Sequence, residues 1–213
     1  MEFSTFQQRI VKVRNLELPG EAEHLKMAPI ERLRELKRQA EKAKTARKAG
    51  VMALFYPSLN EETHLILILR KSYKGVHSNQ VGFPGGKLEN EDASLQDAAL
   101  RETEEEVGVP RSQIEVLKQL TELYIPPSNF FVQPFLGITE RTPSFIPQEE
   151  EVEALIEVPL QHFMSEEVLV SEIITTSYAT NLEVPAFRLN ENVVWGATAM
   201  MLSEVRSLLS QVL

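Results

Sequence analysis

The chain has no cysteine and only four histidines in 213 residues. The first absence removes disulfides, thiolate metal sites and cysteine nucleophiles together, and leaves the redox compartment unspecified. His24, His64, His77 and His162 offer no pair at metal-ligand spacing, so a zinc site on a helical His pair is excluded. Any metal must be held by oxygen or imidazole, and hard-cation chemistry through carboxylates stays open. Long apolar runs are also missing: Leu65 to Leu69 is strand-sized, far short of the roughly 20 residues of a spanning helix. Basic residues are outnumbered 22 to 31, and the net charge of -9 argues against general nucleic-acid binding. The opening MEFSTFQQRI lacks the basic start and apolar core of a signal peptide. The expectation is a soluble, cytoplasmic protein with neither membrane nor nucleic acid as partner.

What is present is a 43% hydrophobic composition, enough for one substantial core. Residues 1–48 read as a helical N-terminal extension, broken at Leu18-Pro19-Gly20, with Pro29 suited to a first helical turn. Within it, 32–48 is strongly basic. Spacings such as Glu31 to Arg34 and Glu35 to Arg38 suit a solvated helix face, with a basic wall beside an anionic substrate as the sharper alternative. Residues 49–213 form the expected domain. VMALFYP and THLILILR are apolar runs separated by turn residues, the pattern of buried strands. Further strands are expected in EVLKQLTELY, FFVQPFLGIT, VEALIEV and VPAFRLN, and a packed helix closes the chain from Trp195. Strands mixed with well-separated helices predict an α/β fold, with helices on both sides of a mixed sheet.

Between the strands lies a glycine-rich loop, from Lys71 to Glu91, that runs into a helix from about Asp92 or Ser94 to Val107. Ser94 and Asp97 have capping spacing, and Gly108 stands as the C-terminal stop. At 100° per residue Glu102, Glu105 and Glu106 fall within about 100° of arc, while Glu104 points elsewhere. Glu102 and Glu106 repel at i,i+4, and the helix dipole disfavours anions in the last turn. A bound cation reverses both effects, and oxygen-only ligands of this kind suit Mg²⁺ or Mn²⁺ shared with a phosphate. Ala98 and Ala99, on the same face, are expected to leave room for the ion and a phosphate, and Arg101 to orient a glutamate.

Gly86 to Val109, GKLENEDASLQDAALRETEEEVGV, closely resembles the Nudix hydrolase signature, with Arg101, Glu102, Glu105, Glu106, Gly108 and Val109 matching. Asp92 or Glu91 serves for the upstream glutamate, and Thr103 replaces an apolar residue. Phe83-Pro84-Gly85-Gly86 and the lengthened box resemble the coenzyme A pyrophosphatase branch, as does LILILRKSYKGVHSNQVGFPGG. In that stretch Asn79 stands where a glycine is usual and Gly75 where a basic residue is usual.

The resemblance implies a Nudix-type α/β/α sandwich and a metal-dependent hydrolase. Its metal would be held by Glu102, Glu105 and Glu106 with the carbonyl of Gly86 or Gly85. The catalytic set would be Glu105, Arg101 and Glu151, with Glu153 a further candidate for the general base. Arg70, His77, Phe83, Gly85, Gly86 and Lys87 would bind substrate. The implied reaction cleaves coenzyme A or its thioesters to (acyl-)4'-phosphopantetheine and adenosine 3',5'-bisphosphate. ADP-ribose, dinucleoside polyphosphates or nucleoside triphosphates are rival substrates, and a non-catalytic nucleotide-binding module is the reading from another class. A homodimer stays open. Tyr124, Phe130 and Phe131 are read as core aromatics, with stacking on adenine as the alternative, and Trp195 as packing.

Overall fold

A computed structural model describes residues 1–29, 43–72, 79–175 and 181–213. Strands β1 (Arg47–Pro57) and β2 (Thr63–Arg70) are the two apolar runs, buried along most of their length. A strand covered on both faces reads as a continuous apolar run, and this pair is covered on both. Val51, Ala53, Phe55, Leu65 and Leu67 enter one core cluster, while Met52, Leu54, Tyr56, Ile66 and Ile68 enter another.

β1 is the hub of a mixed, eight-stranded sheet. It runs parallel to β7 (Phe130–Ile138), from Arg47 opposite Phe130 to Phe55 opposite Ile138. Its far end pairs antiparallel with β2 and its near end with β4 (Gly85–Lys87). β3 (Val81–Gly82) and β8 (Val152–Pro159) pair with β2, and β5 (Glu115–Gln119) and β6 (Leu123–Ile125) pair with β7. The loop expected over 71–91 therefore contains two short strands that close the sheet around the glycines.

Helix α3 (Leu95–Val107) lies on one face. The other face is covered by α1 (Phe3–Ile10) and by α5 (Gly196–Ser210). This is the α/β/α layering, and the N-terminal segment is part of it: Phe3, Phe6, Ile10 and Val13 are buried in the main core. Helix α2 (Glu21–Lys26) is tied to α5 through Glu204, whose buried carboxylate lies 3.2 Å from His24 Nε2 and accepts from Thr121 N at 3.1 Å. Arg47 and Lys48, read as helical, are strand because β7 and β4 supply partners for their backbone.

A short helix, α4 (Leu160–Met164), leads to a second, antiparallel sheet of β9 (Leu169–Ile174), β10 (Leu182–Leu189) and β11 (Asn192–Trp195). Of these three strands the sequence reading anticipated β10 alone. The β10–β11 turn carries Asn190 and Glu191 at φ 43° and 66°, the consecutive positive angles of a tight hairpin. Most of the basic segment, and His77 with Lys74 and Gly75, lie outside the described residues. Among the described residues no helix is long and apolar enough to cross a membrane.

Candidate active site

Helix α3 starts where Ser94 accepts from the Asp97 backbone N–H at 3.2 Å, and it ends on Gly108 at φ 77°. Thr103, at a normally apolar position, is fully buried because its hydroxyl is satisfied internally, donating to the Ala99 carbonyl at 2.6 Å. Ala98 and Ala99 are fully buried too, so they do not leave room for an ion. They let the helix lie directly on the sheet: a Cβ at Gly50 of β1 would fall 2.0 Å from the Leu95 carbonyl. The end of α3 is sealed by the loop before β8, where Ile146 N donates to Val107 O at 3.0 Å and Gln148 N to Glu106 O at 3.2 Å. That loop carries Glu151 to the site.

The three carboxylates differ in environment. The Glu106 side chain is 1% exposed, Glu102 14% and Glu105 49%. Glu106 Oε2 accepts from Gly85 N at 2.7 Å, while Oε1 has no hydrogen-bond partner among the described residues and faces Arg70 Nη2 at 3.4 Å. Burial pushes the Glu106 carboxyl up to about 7; Arg70 and the Gly85 N–H oppose the shift, and Glu102 and Glu151 add to it. Burial also raises Glu102, against the pull of Arg101, with Glu105 and Glu151 adding their repulsion. Glu151 thus belongs to the same electrostatic cluster although it comes from another segment. Glu104 points away and pairs with Arg111 at 2.9 Å.

Arg101 spends all five of its N–H donors inside the protein. Nε and Nη2 grip the Asp92 carboxylate at 3.0 Å each, Nη1 reaches Glu102 at 3.1 Å and Glu105 at 3.0 Å, and Nη2 also donates to the Lys87 carbonyl at 3.2 Å. The Arg101 hydrogen bonds hold the Asp92 carboxyl below its ordinary range. Asp92, rather than Glu91, is therefore the upstream acid that this arginine engages. Arg101 positions two glutamates and has no donor left over for a substrate.

The Gly-Gly turn presses against these groups. Gly85 has φ 147°, and a Cβ there would lie 2.4 Å from the Gly50 carbonyl. A Cβ on Gly86 would lie 2.2 Å from a Glu102 carboxylate oxygen. Arg70 fixes the turn by donating to the Gly85 carbonyl at 2.8 Å. Asn79 adopts φ 55°, the left-handed geometry that a glycine would supply there.

These groups line one side of a cleft of about 850 Å³. Arg70, Gly85, Gly86, Lys87, Arg101, Glu102, Glu105 and Glu151 all border it, whereas Glu153 does not. Lys87 is exposed and pairs with Glu89 at 3.3 Å. Phe83 borders the cleft but is 2% exposed and sits mainly in the core. Glu106 lies beneath the floor. Among the described residues no three acidic or imidazole groups already converge as a ligand set. The donor chemistry still fits a hard cation: a buried Glu106 oxygen with no hydrogen bond among the described residues and mutually repelling carboxylates on Glu102, Glu105 and Glu151.

Residues 46–173 match the NUDIX domain. The chain belongs to the Nudix hydrolase family. It is 34% identical over 160 residues to the uncharacterized Nudix hydrolase NudL of Yersinia pestis (strain Pestoides F), covering 71% of this chain and 73% of that one. With NudL of Yersinia enterocolitica the identity is 44% over 99 residues, 46% of this chain and half of that relative. The fold matches a MutT/nudix family protein from Enterococcus faecalis (TM-score 0.53, 16% identity, 92% of this chain and 76% of that one). It also matches the Nudix hydrolase RenU from M. smegmatis (TM-score 0.52, 14% identity, 79% of this chain and 88% of that one). As a Nudix hydrolase the protein acts on pyrophosphate bonds, and enzymes of this family generally use divalent metal ions.

The apolar part of the cleft lining was not legible in the signature. Ile125, Phe130, Val132, Trp195 and Met201 form it, contributed by β6, β7, β11 and α5. Only the tertiary fold brings these distant segments together, and Trp195, read as packing, is half-buried in that lining.

Proposed function

We propose that this Nudix hydrolase cleaves the diphosphate of coenzyme A or its thioesters, giving (acyl-)4'-phosphopantetheine and adenosine 3',5'-bisphosphate. The observation that carries the reading is the Phe83-Pro84-Gly85-Gly86 turn, locked onto the acidic helix through Glu106 and onto Arg70 through the Gly85 carbonyl. This turn and the lengthened box are the features that resemble the coenzyme A pyrophosphatase branch.

Glu102, Glu105 and Glu106, with the Gly86 carbonyl, would hold Mg²⁺ or Mn²⁺. The cation would supply Lewis-acid stabilisation of charge on the diphosphate oxygens and favour ionisation of the attacking water. The chain's own residues do the rest. Arg101 fixes the Glu102 and Glu105 carboxylates. Gly85 N and Arg70 fix Glu106 and the turn over which the diphosphate lies, and Arg70, which is 25% exposed, offers charge to the cleft.

Glu151 is the proposed general base. It borders the cleft and makes no side-chain hydrogen bond or ion pair among the described residues, whereas Glu105 is engaged by Arg101. Water attacks one phosphorus, its proton passes to Glu151, and the bridging P–O bond breaks to release the second phosphate. The test is mass-spectrometric identification of products from coenzyme A, beside a panel of ADP-ribose, dinucleoside polyphosphates and nucleoside triphosphates with each metal. The expected result is adenosine 3',5'-bisphosphate with 4'-phosphopantetheine. No preference for coenzyme A or its thioesters within the panel overturns the substrate assignment.

A further inference from the structure

We propose that Phe130 is the platform on which the substrate's nucleobase stacks, held in place from behind by Arg47; this rests on the diphosphate-hydrolase reading of the same cleft. Three aromatic residues lie where β6 and β7 pair, and the register separates them. Tyr124 is opposite Phe131 and Ile125 is opposite Phe130. The Tyr124 and Phe131 rings pack on each other at 5.0 Å, and the Tyr124 hydroxyl donates to Asn129 Oδ1 at 2.9 Å. Phe130 is half-buried and faces the cleft that also contains Gly85, Gly86 and Glu102.

The Phe130 ring is already committed on one side. The Arg47 guanidinium carbon stands 4.2 Å from its centroid, so a cation–π contact fixes the ring in place before any ligand arrives. A ring held in this way loses little further freedom when a flat group stacks on it. Around it, Ile125, Val132, Trp195 and Met201 present no charge. These side chains suit an uncharged, planar group. Its placement fits as well: β7 lies two strands from β4, with β1 between them, and Phe130, opposite Arg47, is offset by three residues along β1 from Gly86, opposite Gly50, or roughly 14 Å in all. A ribose with its 5'-diphosphate spans a gap of that order.

The experiment compares two uncleavable ligands on the full chain in Mg²⁺. One is α,β-methylene adenosine 5'-diphosphate; the other is methylenediphosphonate, which has no base. Trp195 is the chain's single tryptophan and borders the same cleft, so its emission reports binding of either. Phe130→Leu keeps apolar bulk and removes the stacking face, while Phe130→Tyr retains one and leaves Trp195 as the single reporter. The expected result is about 10-fold weaker binding of the adenosine ligand by F130L, with near-wild-type affinity in F130Y and unchanged affinity of all three proteins for methylenediphosphonate. Equal weakening of both ligands, or none, overturns the proposal. So does an F130L defect confined to the KM of long-chain acyl thioesters, which would assign the wall to an aliphatic tail. Binding of an uncleavable ligand does not depend on turnover, so absence of diphosphate hydrolysis would defeat the functional reading while leaving this contrast readable.

Discussion

The backbone N–H of Gly85 donates to Glu106 Oε2 at 2.7 Å, joining the glycine turn to the most buried carboxylate of the acidic helix. The other Glu106 oxygen has no hydrogen-bond partner among the described residues. Glu106→Gln keeps the shape and removes the charge. The expected outcome is a fall in kcat/KM of about 1000-fold, the scale of losing a metal's charge stabilisation, with intact folding by circular dichroism. The pH dependence follows from burial, which raises this carboxyl to about 7. In metal-free protein a raised carboxyl contributes stability fully below its unfolded value, and that stability is lost as pH rises through about 7. Melting curves in EDTA should show this slope between the ordinary carboxylate range and pH 7, and E106Q should flatten it.

A side chain at Gly86 would displace the Glu102 carboxylate, because its Cβ would fall 2.2 Å from a Glu102 oxygen. Gly86→Ala should push Glu102 out of place and lower kcat by about 100-fold, the cost of a displacement on the order of 1 Å at a reacting centre. The melting temperature should change far less than the rate. An active G86A enzyme would show that the Glu102 carboxylate position is unimportant.

Arg101→Lys keeps the charge and loses the fork. One ammonium cannot replace five N–H bonds to Asp92, Glu102, Glu105 and the Lys87 carbonyl. The expected effect is about a 10- to 100-fold loss in kcat with weakened metal activation, measured as the Mn²⁺ concentration that gives half-maximal rate. If Arg101 instead contacted substrate, the loss would appear mainly in KM.

The signature made the acidic helix, its caps and the Gly-Gly turn readable, because each depends on neighbours within about twenty residues. Its helical geometry separated Glu104 from Glu102, Glu105 and Glu106. The role of Ala98 and Ala99 was misread, since the helix angle alone does not say which flank meets the sheet; contact with Gly50 of β1 decides that. Strands β9 and β11 escaped notice because β11 is only four residues long, while β9, LVSEII, has no fully buried residue and its apolar residues come in adjacent pairs instead of alternating. The cleft's apolar wall was invisible for a different reason: Phe130, Trp195 and Met201 look like core residues until β7, β11 and α5 are placed around one opening.

Glu204 provides a test away from the cleft. It is fully buried and accepts from Gly20 N at 3.3 Å, Thr121 N at 3.1 Å and the Thr121 hydroxyl at 2.5 Å, with His24 beside it. Burial raises its carboxyl, but the bonds from His24 and Thr121 outweigh burial and leave it below the ordinary range. A lowered carboxyl stabilises the fold above its unfolded value and loses that contribution as pH falls through its folded value. Glu204→Gln should therefore cost about 2–4 kcal/mol near neutrality, several degrees of melting temperature. The gap from wild type should narrow as pH falls below the ordinary carboxylate range. A gap that stayed constant down to pH 3 would contradict the ionised network.

The parallel register of β1 on β7 has a kinetic consequence. Arg47 meets Phe130 across more than eighty intervening residues, which include the whole glycine turn and acidic helix. Loop closure over such a separation is slow compared with formation of the helix itself. The acidic helix and its caps can form early from local contacts, but the cleft exists only after this long-range pairing. During refolding, helical signal should rise first, and catalytic competence should lag behind it until the first strand of the hub finds its distant parallel neighbour.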